Sequence, residues 1–371
     1  MSANFAILWR LTYHLRPEGI LMLKYLNARV AVTRSLLLLS IVSIAFTTSS
    51  CNLFRTHKKV AVPQLLTPLR TATKDILIQE INRLASVKAI HGRVDIQFED
   101  TSFASVGIAE KYQQVDGNLI LQRPGKIYLA LTFTIVDIAQ MASDGERFAV
   151  AVLQGDEKYK RFVKGTNSAV YPRLESADKT NTKNDKKKAE KETVSALSNL
   201  RPQHLTDAFL IRSIEPNSGN IYSLSEFFQE EPDTRPQAKK GARVMRGYYL
   251  LEELSEPKNG ETQVLRRFWF DRVDKIRLGR LQTLDTKGQI ITDVSYFNDK
   301  PIGSEVTMTL PGRIELTRPQ DQYKLSLTYQ DPASVELNKE YKPEAFVLQN
   351  KWQLPEVDLD AQNNKKVTAN H

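Results

Sequence analysis

The chain has 371 residues, with 52 Lys and Arg against 43 Asp and Glu and a formal net charge of +9. Five of those basic residues and one acidic residue precede Cys51, so a chain beginning at Cys51 carries only +5, with both signs interspersed. That balance excludes a dedicated nucleic-acid face, and a single cysteine excludes an internal disulfide.

The first element is an apolar run from Leu36 to Phe46, behind Arg29 and Arg34 and ahead of Thr48-Ser49-Ser50-Cys51. A basic flank, a short apolar segment and small residues before a break form a secretory signal. At about 11 residues the run falls well short of the roughly 20 that a membrane-spanning helix needs. Small residues directly before Cys51 resemble a lipobox. That resemblance implies cleavage before Cys51 and acylation of its thiol, with residues 1–50 as the signal. Met22 offers a more ordinary start, which would leave the first 21 residues outside the translated leader. Asn52, where aspartate would retain a lipoprotein at the inner membrane, favours the periplasmic leaflet of the outer membrane, with the inner membrane as the alternative.

Residues 51–72 read as a tether, because Pro63 and Pro68 discourage helix. A helix is expected over 74–87, with Leu77, Ile81, Leu84 and Ala85 on one face. From Arg93 the period changes to two. Strands are expected at 93–98, 106–113, 117–123, 126–133, 138–142 and 147–153, with turns at Asp116-Gly117, Pro124-Gly125 and Asp144-Gly145. The polar stretch 174–196 reads as a disordered insertion. Arg201-Pro202 opens a short helix carrying Leu205, Ala208 and Phe209. Residues 214–242 read as a long loop around a helical turn at 223–228. Strands resume at 244–252, 262–270, 275–285, 289–297, 304–309, 313–318 and 322–329, with turns at Asn259-Gly260 and Lys287-Gly288. Strands 126–133 and 264–270 are apolar on both faces and must be covered twice. The tail 351–371 reads as polar, and after Val357 as frayed.

The expected fold is mainly β with two or three short helices: a strongly curved antiparallel sheet, an open half-barrel, over a helical lid. The stretches Ala89–Val94, Gly117–Leu129, Ser143–Phe148, Phe268–Arg272, Asp285–Gly288 and Pro311–Leu316 together resemble the periplasmic carriers and outer-membrane receptors of lipoproteins, the LolA/LolB-like half-barrels. The resemblance spans most of 73–335 and places one such domain over 73–350. It implies an acyl-chain cavity under the lid, lipid or lipoprotein cargo, and a soluble periplasmic carrier as a partner. A lipid-anchored member resembles the receptor, whose membrane-inserting loop is assigned to no residue here.

Candidate cavity residues are Leu77, Ile81 and Leu84 on the lid, with Leu119, Leu121, Leu129, Leu131, Phe148, Tyr248, Leu250, Phe268 and Phe270 on the sheet. A charge at Leu129 or Phe268 is expected to abolish lipid capture with the fold still measurable. Cargo transfer requires a lid that packs less tightly than the sheet. The chain contains no Gly-x-Ser-x-Gly, no phosphate-cradling loop and no dinucleotide fingerprint. Its five histidines, at 14, 57, 91, 204 and 371, are scattered. No enzyme and no cofactor beyond the acyl anchor are expected, and Asp271 and Asp274 read as surface charges. Two further readings compete: a structural or partner-binding envelope lipoprotein without cargo, and, ranked last, an envelope enzyme.

Overall fold

A computed structural model describes residues 62–363 apart from 102–108, 112, 156, 158–159, 170, 172–200, 216, 258–259 and 306. The signal segment, Cys51, most of the tether and the insertion 174–196 lie outside the described residues.

In chain order the elements begin with β1 (Gln64–Leu65), α1 (Lys74–Ala85), β2 (Ala89–Asp100), β3 (Glu110–Lys111) and β4 (Val115–Gln122). Next come β5 (Lys126–Phe133), β6 (Val136–Asp144), β7 (Arg147–Val152), β8 (Arg161–Thr166) and α2 (Pro202–Phe209). The second half holds β9 (Ile221–Pro232), β10 (Arg243–Leu254), β11 (Val264–Asp271), β12 (Arg277–Leu284) and β13 (Ile290–Ile302). It ends with β14 (Met308–Arg318), β15 (Tyr323–Tyr329), β16 (Glu336–Leu337) and β17 (Glu356–Asp358).

The 17 strands of the described residues belong to one sheet. Strands β9 to β15 pair in sequence as an antiparallel meander, and β4 to β8 form a second. Strand β2 joins them, lying between β15 and β4. The sheet is strongly curved and unclosed. It is mixed only at its margins, where β1 runs parallel to β10 and β17 parallel to β8.

Alternation decides which face is apolar. On β15, Tyr323, Leu325, Leu327 and Tyr329 are buried while Lys324, Ser326 and Thr328 are half-buried on the other side. The same parity holds along β4 and β5, giving a continuous apolar inner face. Helix α1 lays Leu77, Ile81 and Leu84 on that face, and α2 adds Leu205, Ala208 and Phe209. Asp75 in the first turn of α1 and Arg83 in its last complement the helix dipole. The double cover expected of β5 is present, because Phe346 from the turn Pro343–Phe346 is buried and lies 5.8 Å from the ammonium of Lys126.

Several expectations are corrected. Residues 214–242 are not a loop with a helical turn, since 221–232 form β9, twelve residues paired along β10. Asp116-Gly117 is not a turn but the interior of β4, paired with both β2 and β5. A Cβ on Gly117 would come 2.9 Å from the Ile96 side chain, so the glycine serves close packing. The expected strand 304–309 is strand only at 308–309, and there it runs on without a break into 313–318 as β14. The tail is not frayed directly after Val357: Asp358 pairs with β8 in β17, Leu359 is buried and Asp360 accepts a hydrogen bond from Thr166 at 2.9 Å.

Candidate functional site

The concave face beneath α1 and α2 gathers ten of the twelve candidate cavity residues. Leu77, Ile81, Leu84, Leu119, Leu121, Leu129, Leu131, Phe148, Phe268 and Phe270 are all buried in a single apolar cluster. Tyr248 and Leu250 are not among them. On β10 the inward residues are Tyr249 and Leu251, and Tyr248 and Leu250 stand on the outer face. The ten fill the concavity themselves. Among the described residues, a slot of about 20 Å³ lies between Leu84, Val87, Phe209, Ile211, Tyr296 and Leu310, room for about one water molecule.

Polar latches fasten the two helices over this slot. The Asn82 amide donates to the Ile214 carbonyl at 3.2 Å and accepts from the Ile214 amide at 2.8 Å. Arg123 donates to the carbonyls of Val87 and Ile211 at 3.0 and 2.6 Å, bridging the ends of α1 and α2. Tyr296 donates to the Ala208 carbonyl at 3.0 Å. Arg266, paired with Glu253 on the inner face, donates to the carbonyls of Arg212 and Ser213 at 2.9 and 3.3 Å. The segment 210–214 is thus held chiefly through its backbone, and the helices by few side-chain bonds.

Two ionisable groups ride on α2. His204 pairs with the Tyr323 hydroxyl at 2.6 Å, and burial, with Arg318 and Arg201 nearby, pushes its pKa well below the ordinary histidine value. Asp207 borders an open pocket of about 510 Å³, which Lys126, Glu146 and Gln203 also line. Burial raises the pKa of Asp207, against the opposing charges of Arg212, Arg318, Arg123 and Arg266. A carboxyl with a raised folded-state pKa binds more protons folded than unfolded, so stability falls as pH rises from the unfolded value toward the folded one. Asp207→Asn should therefore raise the melting temperature at pH 7 and leave it unchanged near pH 3. Equal melting curves for the two proteins at pH 7 would show that Asp207 carries no such cost.

The sequence reading missed one feature. Between β5 and β6, Phe133 pairs with Val136 across a two-residue turn in which Thr134 takes φ 59°. Phe133, Ile135 and Val136 are 42, 91 and 46% exposed. Three apolar side chains within four residues of a hairpin tip are open to water. The signal was available in Phe-Thr-Ile-Val, a turn without Gly, Asn, Asp or Pro, where polar turn chemistry is the norm.

Among the described residues, no group of His, Cys, Asp and Glu is placed to hold a metal ion, and no helix is long and apolar enough to cross a membrane. Asp271, expected at the surface, is buried between Arg246 and Arg277.

No protein-family model matches the chain, and no curated protein is significantly similar to it in sequence. Solved structures do align with it. A LolA superfamily protein from Nitrosomonas europaea matches 75% of this chain and 99% of its own length, at 10% identity and a TM-score of 0.37. A DUF1329 family protein from Desulfovibrio piger aligns over 73% and 95% of the two chains, at 12% identity and a TM-score of 0.34. An outer membrane lipoprotein-sorting protein domain from Vibrio parahaemolyticus covers 75% and 97%, at 13% identity and a TM-score of 0.28.

Proposed function

We propose that this chain is a lipid-anchored envelope protein that takes acyl chains, of a lipid or a lipoprotein, between its curved sheet and the helices α1 and α2. The observation that carries the reading is the exposed apolar tip Phe133-Thr134-Ile135-Val136 on a sheet whose inner face is also apolar. A cluster of exposed apolar side chains at the end of a hairpin gains free energy by leaving water, at about 25 cal/mol per Å². A bilayer interface provides that burial. Cys51, acylated, supplies the permanent attachment, and the tip supplies a second, reversible contact that brings the sheet to the lipid surface. The site of action is then the periplasmic leaflet of the outer membrane, with cargo received from a soluble periplasmic carrier. The role is binding and transfer rather than turnover.

Loading at the slot among the described residues requires the helices to lift, because that slot is far smaller than an acyl chain. That same fact favours a second reading, a structural lipoprotein whose core is permanently filled by its own side chains.

Cys51→Ser protein removes the anchor, so that flotation with vesicles of phosphatidylethanolamine and phosphatidylglycerol reads the tip alone. Ile135→Asp should abolish flotation with the melting temperature unchanged. Equal flotation of the two proteins would remove the tip from membrane contact. Native mass spectra of the exported protein should show an acylated adduct. A clean apo mass in the presence of lipid and lipopeptide would leave the structural reading standing.

A further inference from the structure

The chain enters the sheet at one end of its strands. Gln64 and Leu65 of β1 run parallel to Val244 and Met245 at the start of β10. The hairpin that joins β9 to β10 stands at the same end, with Arg243 opposite Pro232. Followed from strand to strand, the register puts the apolar β5–β6 tip at the other end, the end where β10 finishes at Leu254.

The β9–β10 hairpin carries surplus positive charge. From Asp233 to Ala242 it holds one acid and three bases. Asp233 takes the Arg235 guanidinium at 2.7 Å, and just beyond the hairpin Arg243 is paired with Glu230. Lys239 and Lys240 are exposed and make no ion pair among the described residues. Their backbone is fixed. The Asp233 amide donates to the Ala242 carbonyl at 2.8 Å and the Ala242 amide to the Lys239 carbonyl at 2.9 Å. At the same end of the sheet Leu65 is 40% exposed.

We infer that this end of the sheet rests on an anionic phospholipid surface, with Lys239 and Lys240 against the headgroup phosphates and Leu65 as the apolar member of the contact. The inference rests on the reading of Cys51 as the anchor. Gln64 lies thirteen residues after Cys51, a span of at most about 45 Å, so an acylated Cys51 keeps the hairpin near the bilayer. The residues between include Arg55, Lys58 and Lys59 and no acid. A lysine beside an anionic leaflet contributes about fivefold in affinity. Two of them are too weak to hold a free protein on a vesicle, but a short tether raises the local concentration to the millimolar range. Flotation of the unanchored protein therefore reads the tip, and the lysines act once the anchor is in place. With foot and tip at opposite ends, the two contacts together lay the strands along the bilayer.

The test is lysine acetylation, read by mass spectrometry, on the exported protein anchored to vesicles. One set is phosphatidylcholine alone and the other equal parts phosphatidylcholine and phosphatidylglycerol. Cys51 is the chain's single thiol, so protein whose intact mass shows no acyl group is coupled there to a maleimide phospholipid. A free thiol would refute the native anchor, and the coupled protein would still test the lysines. On the mixed vesicles Lys239 and Lys240 should react about fivefold more slowly or better, with the exposed Lys351 unaffected. The difference should vanish in molar salt, where screening reaches contact distance. Lys239→Gln should cut the protection of Lys240 by about fivefold. Equal rates on the two vesicles would overturn the proposal. So would slowing shared by Lys351, or protection of Lys240 that survives the loss of Lys239, since either reduces the effect to surface potential. Protection on both vesicles that grows with protein density would assign this end to a second copy of the chain instead.

Discussion

Arg266→Ala should cost about 3–5 kcal/mol of stability, the usual penalty for removing one partner of a buried ion pair. The side chains of Arg266 and Glu253 are only 10 and 6% exposed, and the loss leaves Glu253 with Asn220 and Tyr222 alone, at 2.8 and 3.0 Å. It also deletes both guanidinium bonds to the carbonyls of Arg212 and Ser213, so the segment after α2 loses its fastening. Hydrogen exchange should therefore rise at 202–214 by more than at β4 or β5. Burial on its own would raise the pKa of Glu253, but hydrogen bonds from Arg266, Asn220 and Tyr222 and the charge of Arg266 bring it below the ordinary value. The folded state then holds fewer protons than the unfolded one, and the stabilisation is full above about pH 4.3 and fades as pH falls through the folded pKa. Arg266→Ala should flatten that acid limb of the stability curve. A loss below about 1 kcal/mol in urea unfolding, with exchange unchanged, would mean that the pair neither stabilises the fold nor holds the lid.

Phe268→Ala should cost about 3–5 kcal/mol, as for other fully buried phenylalanines. The ring is wholly buried, on the apolar cluster that α1 and α2 cover, with the Arg266 guanidinium 5.0 Å from its centre. The earlier expectation, that a charge at Leu129 or Phe268 would abolish lipid capture and spare the fold, is therefore revised. Both residues sit in a filled core, and Phe268→Asp or Leu129→Asp should unfold the protein. The size of the alanine effect also separates the two functional readings. A cost near 1 kcal/mol would mean that the inner face yields readily when a side chain leaves, as a surface made to receive an acyl chain would. A cost at the upper end describes a close-packed core that opens only if the helices detach as a unit.

The sequence made the sheet legible wherever apolar and polar residues alternate strictly, as in β2 and β15. It was ambiguous where apolar residues run without interruption. In Gly247-Tyr248-Tyr249-Leu250-Leu251 either parity satisfies the pattern, and the choice is made by neighbours on β9 and β11: Phe227 and Trp269 draw Tyr248 outward, leaving Tyr249 and Leu251 for the core. Strand β9 was unreadable for a related reason. It is a sheet edge, largely exposed on alternate residues, and its acidic residues read as loop until they are seen to pair with Arg243, Arg246 and Arg272. Such charges are how an edge strand is kept from pairing with other chains. Asp116-Gly117 has the composition of a turn and the role of a packing gap. The two helices and their buried faces followed from spacing alone, whereas the size of the space beneath them did not, because periodicity says which residues face inward and nothing about whether they meet.

The junction of β2 with β15 sets the order in which the protein can be made. Val94 pairs with Tyr329 and Asp100 with Tyr323, so the two meanders are local assemblies whose shared seam joins distant parts of the chain. Contacts of such separation slow folding, because loop closure must precede the interactions that reward it. During synthesis, β2 and β4 emerge long before β15, and until β15 arrives one side of β2 remains an open template for stray strands. The β4–β8 half therefore waits as a partly edged sheet, exposed to holdases and proteases. Shortening the chain ahead of Tyr323 would leave that wait without an end.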